Sequence, residues 1–137
     1  MSKLDIVKAI IAAWSNKDVE AVLELITEDI VFFYAIGRAP ARGKVEMRAL
    51  LEQLKGHQSD LNWQIKNAAE TGNVVMIEAV DQYTNPSGII VQTPHMTTFE
   101  FDGDLICGWR DYFDFSQLMR LEQGEAPDPN IMALIDR

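Results

Sequence analysis

Two aspartates stand where carboxylates are seldom found, inside runs of aromatic and β-branched residues. Asp111 lies in GWRDYFDF at 108–115 and Asp81 in VVMIEAVDQYT at 74–84. A charged residue is rarely buried without a partner or a task. If two carboxyls sit close together in an apolar wall, like-charge repulsion keeps one of them protonated, which makes a usable acid–base dyad. His95, in TPHMTTFEF, adds a group that titrates near neutrality and can serve as a donor or a second base. The ordinary alternatives are solvated aspartates near strand ends and a histidine hydrogen-bonded in a wall.

Strands must position these groups. Side chains alternate between the two faces of a strand. Val75, Ile77, Ala79, Asp81 and Tyr83 therefore share one face, and Thr93, His95, Thr97, Phe99 and Phe101 share another. In the last segment, Leu105, Cys107, Trp109, Asp111 and Phe113 fall together, opposite Ile106, Arg110, Tyr112 and Asp114. Each inner set is mostly apolar with a few polar groups, the usual lining of a small-molecule site. The connections Thr71-Gly72-Asn73, NPSG at 85–88 and DGD at 102–104 are short. Connections of that length join antiparallel neighbours, because a parallel crossover needs a dozen or more residues.

Helices precede the strands. Leu4, Val7, Ile11 and Trp14 recur at three- and four-residue steps, with Ser2 available as a cap. Asn16 and Asp18 mark a stop and restart before VEAVLELI, a second short helix. DIVFFYAI reads as a strand, GRAPARG as a loop, and KVEMRALLEQLKG as a third helix stopping near Gly56. SQLMRLEQ suits a short last helix. The expected fold is α+β: a curved antiparallel sheet wrapped around three N-terminal helices, a cone with an internal pocket. Residues 1–122 form one domain and 123–137 a tail. The tail's apolar patch, Ile131–Ile135, packs on the surface as a frayed end, closes a pocket or grips a second subunit.

The 137 residues are 47% hydrophobic, enough for one core, and carry a net charge of −9. That balance opposes nucleic-acid binding and disfavours an anionic membrane surface. No apolar run approaches the roughly 20 residues of a spanning helix. Asp5 interrupts the first segment, so it does not read as an export signal. The expectation is a soluble, cytoplasmic chain. The single Cys107 rules out an internal disulfide and argues against a cysteine cage, while His57 and His95 lack metal-ligand spacing. No GxSxG or phosphate-cradling glycine loop occurs. No metal and no cofactor are therefore expected. His57, in GHQSD, is expected to be exposed, and Trp14 and Trp63 to belong to the core.

The element order resembles the nuclear transport factor 2-like superfamily, with its ketosteroid isomerases, SnoaL-type polyketide cyclases and limonene-1,2-epoxide hydrolases. GWRDYFD at 108–114 is similar to the closing strand of the epoxide hydrolases. VVMIEAVD at 74–81 resembles their strand ending in Glu-Arg-x-Asp, and the loop Pro40-Ala41-Arg42-Gly43 also fits. The resemblance implies Asp111 as the base that deprotonates an attacking water and Asp81 as the acid that protonates an epoxide oxygen. It puts Trp109 in the pocket wall. Phe33, Tyr34, Ile77, Ala79, His95 and Thr97 complete the expected ligand contacts.

Departures accompany it. The family's arginine between the two carboxylates falls on Ala79, and its water-holding tyrosine and asparagine fall on Phe33 and Ala35. A one-residue shift of register would turn the adjacent Tyr34 inward. In the isomerase branch the catalytic aspartate falls on Tyr34, with its partners near Ile10 and Thr97, so the required base is absent. The expected function is a cofactor-free hydrolase or cyclase acting on an apolar epoxide or polyketide-like substrate, or else a non-catalytic binder of an apolar ligand. A homodimer is expected through the outer sheet face, with Trp63 or its neighbours, Arg110 and Tyr112.

Overall fold

Helix α1 (Lys3–Ser15) begins with a capping box: Ser2 Oγ accepts from the Asp5 N–H, and the Asp5 carboxylate accepts from the Ser2 N–H. Its buried stripe is Ile6, Val7, Ile10, Ile11 and Trp14. Lys17 at a φ of 55° breaks the helix, and Asp18 caps the restart, α2 (Val19–Glu24). The computed structural model describes all of residues 1–137.

Strand β1 (Ile26–Phe33) starts three residues earlier than expected, and GRAPARG is not wholly a loop. Ala41–Arg42 forms a short strand, β2, antiparallel to β1. Gly43 opens α3 (Gly43–His57) at a φ of +80°, where a Cβ would lie 3.4 Å from the Glu28 carbonyl oxygen. The helix runs through Gly56 and ends on His57. There follow β3 (Ser59–Thr71), β4 (Val74–Thr84), β5 (Ile90–Asp102), β6 (Leu105–Tyr112), α4 (Phe115–Glu122) and α5 (Pro129–Ile135).

The six strands make one curved, unclosed sheet in the order β2-β1-β6-β5-β4-β3. Strands β3 to β6 form the antiparallel meander that their short turns require. Strand β1 joins it in parallel along β6, a pairing no turn could announce because α3 and four strands separate the two in the chain.

Strand β6 departs from simple alternation. Glu100 faces Gly108 and Phe101 faces Ile106, so Cys107 is the extra residue of a β-bulge. The bulge reverses the phase before it: Ile106 is fully buried, while Leu105 and Cys107 leave the inner face on which they were expected. Trp109 and Asp111, beyond the bulge, keep the inner face.

The main core joins α1, α2 and α3 to the inner faces of β1, β4, β5 and β6, with Phe99, Ile30, Met47 and Ile77 fully enclosed. Side chains of this kind each contribute roughly 1.5–3 kcal/mol by leaving water. A second cluster, Tyr83, Val91 and Leu121, anchors α4. The tail is helical, not frayed: Asp128 caps α5, Ile135 is buried, and Arg137 pairs with Glu78 at 3.1 Å. Leu134 and Arg137 border a groove with Val80 and Pro94 on the outer side of the sheet, away from the cavity. No helix is long and apolar enough to cross a membrane.

Candidate active site

A cavity of about 220 Å³ lies between the inner sheet face and the helices. Trp14 of α1, Leu51 and Leu54 of α3, and Leu118 of α4 supply much of its apolar wall. Asp81, His95 and Asp111 all line it. The strand register explains how. Thr97 faces Asp111 across β5 and β6, His95 faces Ala79 across β4 and β5, and Asp81 faces Thr93. Asp81, His95 and Asp111 therefore lie on a diagonal over three neighbouring strands, with the histidine on the middle one.

Asp111 is held firmly. Its Oδ1 accepts from the Thr97 hydroxyl at 2.8 Å and from the Trp109 indole N–H at 3.1 Å. Oδ1 is thereby occupied, leaving Oδ2 as the oxygen free to take a proton. Burial, with a smaller contribution from the Asp81 charge, pushes the Asp111 pKa up to about 7 against the lowering effect of those two donors. Asp81 has no such donors; burial alone pushes its pKa up to about 6. Part of the Asp111 rise is the Asp81 charge itself, which vanishes when Asp81 holds a proton. Burial remains the larger effect on Asp111, so the resting pair carries its proton on Asp111 at least as often as on Asp81. The pair is thus coupled across the cavity, with β5 between them, instead of joined by a shared hydrogen-bonded proton.

His95 is buried, and its pKa falls to about 4, so its ring is neutral at physiological pH. With Ala79 beside it, no cation stands between the two acids. Trp109 is the aromatic hub, packed on Phe32 at 4.4 Å, Phe99 at 5.1 Å and Trp63 at 6.1 Å between ring centres.

The other expected contacts divide. Tyr34 and Trp109 line the cavity, and Ala35 does too. Phe33 does not: pairing of Phe32 with Trp109 and of Phe33 with Arg110 sends Phe33 to the outer face, 38% exposed. The same alternation turns Tyr34 inward, into the cavity wall. Ile77 and Ala79 are core residues packed against the helices and not cavity lining. Thr97, 1% exposed, stands behind Asp111 as its donor and is not among the residues lining the cavity. Trp63, expected in the core or on the outer face, packs against the core and also lines the cavity, as do Trp14 and Phe32.

A polar cluster at the cavity mouth escaped the sequence reading. Glu122, the last residue of α4, accepts hydrogen bonds from the Tyr83 hydroxyl and from Asn85 Nδ2 at 2.9 Å. His57 Nε2 lies 3.0 Å from it, so His57 is a half-exposed helix-end residue and not a free loop side chain. Burial alone would raise the Glu122 pKa, but these three partners outweigh it and hold the pKa low. Separations of 37 to 65 residues leave no local pattern to find. No group of three or more His, Cys, Asp or Glu side chains is arranged to hold a metal ion.

None of the curated protein sequences matches this chain. Among solved structures it is similar to an LEH-like epoxide hydrolase of M. tuberculosis: 26% identity, 98% of this chain and 95% of that one covered, TM-score 0.77. It shares its fold with the Δ5-3-ketosteroid isomerase of Mycobacterium sp., at 21% identity, 85% and 96% coverage and TM-score 0.77. It also shares its fold with the epoxide hydrolase/cyclase-like enzyme SalBIII of salinomycin pyran-ring formation, at 17% identity, 83% and 92% coverage and TM-score 0.76. The family model of the SnoaL-like domain matches residues 7–109, most of the chain. This protein belongs to the SnoaL-like domain family.

Proposed function

We propose that the cavity takes an apolar small molecule and opens an epoxide on it by adding water. Asp111 is the base and Asp81 the acid, in the state of the coupled pair that carries its proton on Asp81. Water, held by Asp111 Oδ2 and the inward Tyr34 hydroxyl, attacks an epoxide carbon while Oδ2 takes its proton. The carbon–oxygen bond breaks, and the leaving oxygen takes the Asp81 proton. The product is a vicinal diol; a proton returned from Asp111 to Asp81 resets the pair.

The observation that carries this reading is the unequal setting of two carboxyls on one apolar cavity. Asp111 has two donors fixing one oxygen, and Asp81 has none. The likeness to the LEH-like epoxide hydrolase of M. tuberculosis supports the same reading. Diol formation from limonene oxide and styrene oxide tests it. Asp111→Asn should abolish the reaction, and unchanged turnover in that variant removes Asp111 from the mechanism.

Ala79 and Ala35, at the family's arginine and asparagine positions, favour a second reading, retention of an apolar ligand without reaction. Native mass spectrometry of the purified protein would then find a bound ligand that emerges unchanged. Either reading includes a homodimer through the outer sheet face, where Phe33, Met96 and Tyr112 are exposed beside Arg110. A monomer by light scattering at micromolar concentration overturns the dimer.

A further inference from the structure

Two polar atoms of the cavity wall are buried with no partner: Trp63 Nε1 and His95 Nε2. Buried polar atoms almost always find a partner, so an adjacent pair without one needs a reason. The hydrogen-bond network assigns the sense of each. The Thr97 hydroxyl has one proton, which it gives to Asp111 Oδ1. Thr97 Oγ1 therefore accepts from His95 Nδ1, 3.2 Å away, which fixes that nitrogen as the protonated one. His95 Nε2 is left as a bare acceptor. Indole Nε1–H is a donor only. The wall thus holds one vacant donor and one vacant acceptor on rings whose centres are 4.9 Å apart.

We propose that Trp63 and His95 form a subsite for a hydroxyl group, and that the ligand of the cavity is a hydroxyl-bearing apolar molecule. A hydroxyl oxygen accepts from Trp63 and its proton goes to His95. A ketone or ether accepts but cannot donate, and leaves His95 Nε2 vacant. Trp63 sits on β3, an edge strand of the sheet, and is only half-buried. Trp63 also faces Asp81 directly across the strand pair, which puts the subsite on the Asp81 side of the cavity. This inference rests on the reading of the cavity as an apolar-ligand site and adds the ligand's polar group.

The test uses the full chain with menthol and menthone, which share a carbon skeleton and differ in hydroxyl against carbonyl. Affinity is followed by tryptophan fluorescence, and the Trp63 indole N–H resonance, assigned by its loss in Trp63→Phe, is followed by NMR. Menthol should bind at least about tenfold more tightly than menthone, a difference of one hydrogen bond, about 1.4 kcal/mol. It should move the Trp63 resonance, and His95→Phe should erase the preference. Equal binding of the two, or a preference that survives His95→Phe, overturns the subsite and leaves the apolar cavity standing. Failure of both to bind at millimolar concentration overturns the cavity reading together with the subsite. The two wild-type measurements decide the matter even if His95→Phe does not fold.

Discussion

The cavity carries carboxyls of two opposite kinds. Asp81 and Asp111, deep on the sheet, have raised pKa values, whereas Glu122 at the mouth has a lowered one. Burial acts to raise all three, so burial alone does not set the direction. Partners do. Glu122 collects Tyr83, Asn85 and His57, and stays charged. Asp81 collects none, and Asp111 has two donors on a single oxygen. The mouth cluster is built like a clasp, tying α4 to α3, β4 and the turn after it. The inner pair is built for proton movement, since a group poised between charge states is what acid–base chemistry needs.

That contrast makes testable demands. The largest effect should come from Asp111→Asn, an isosteric change that keeps an oxygen for Thr97 and Trp109 to donate to. If the inner pair is reactive, epoxide turnover falls by about 10²–10⁴-fold while the fold is kept. Stopped assays beside circular dichroism measure both. Glu122→Ala should do the reverse: it leaves the Tyr83 hydroxyl without an acceptor and loosens α4, at roughly 2 kcal/mol in urea unfolding.

The pH response should also separate the two regions. A raised acid pKa means that the native state holds its proton more tightly than the unfolded chain. The contribution of Asp111 to stability is full below about 3.8 and lost as pH rises through about 7. Asp111→Asn should therefore gain stability relative to the natural chain, by about 1 kcal/mol or more at pH 8, and little at pH 4. Glu122 has the opposite sign: its contribution is present above 4.5, the ordinary value, and lost as pH falls through its lower native pKa. Glu122→Gln and the natural chain should therefore converge in acid. The smallest effect belongs to His57→Ala, whose half-exposed pair with Glu122 should be worth less than about 1 kcal/mol.

Much of the fold was legible because its signals are local. The Ser2 cap, the break at Asn16–Asp18 and the hairpin turns declare themselves within a few residues. The alternation that turns Asp81, His95 and Asp111 inward does so as well, because side-chain direction in a strand has a period of two. Where the pairing partner lies far away, the local signal fails. Ile106 and Cys107 were assigned to the wrong faces because a bulge is a mismatch between two strands, and neither strand contains it alone. Phe33 and Tyr34 were likewise undecided until β1 found its parallel place beside β6.

The site follows the same division. Residue types and periodicity along the chain determined which acids share the inner surface with aromatic residues. Tertiary structure alone decided their chemistry: that Thr97 and Trp109 occupy one oxygen of Asp111, that Asp81 has no donor, that Trp63 leans on His95, and that Glu122 is clasped from three directions. Proton affinity depends on distances of a few ångströms between groups far apart in sequence, and only the assembled sheet and its helices set those distances.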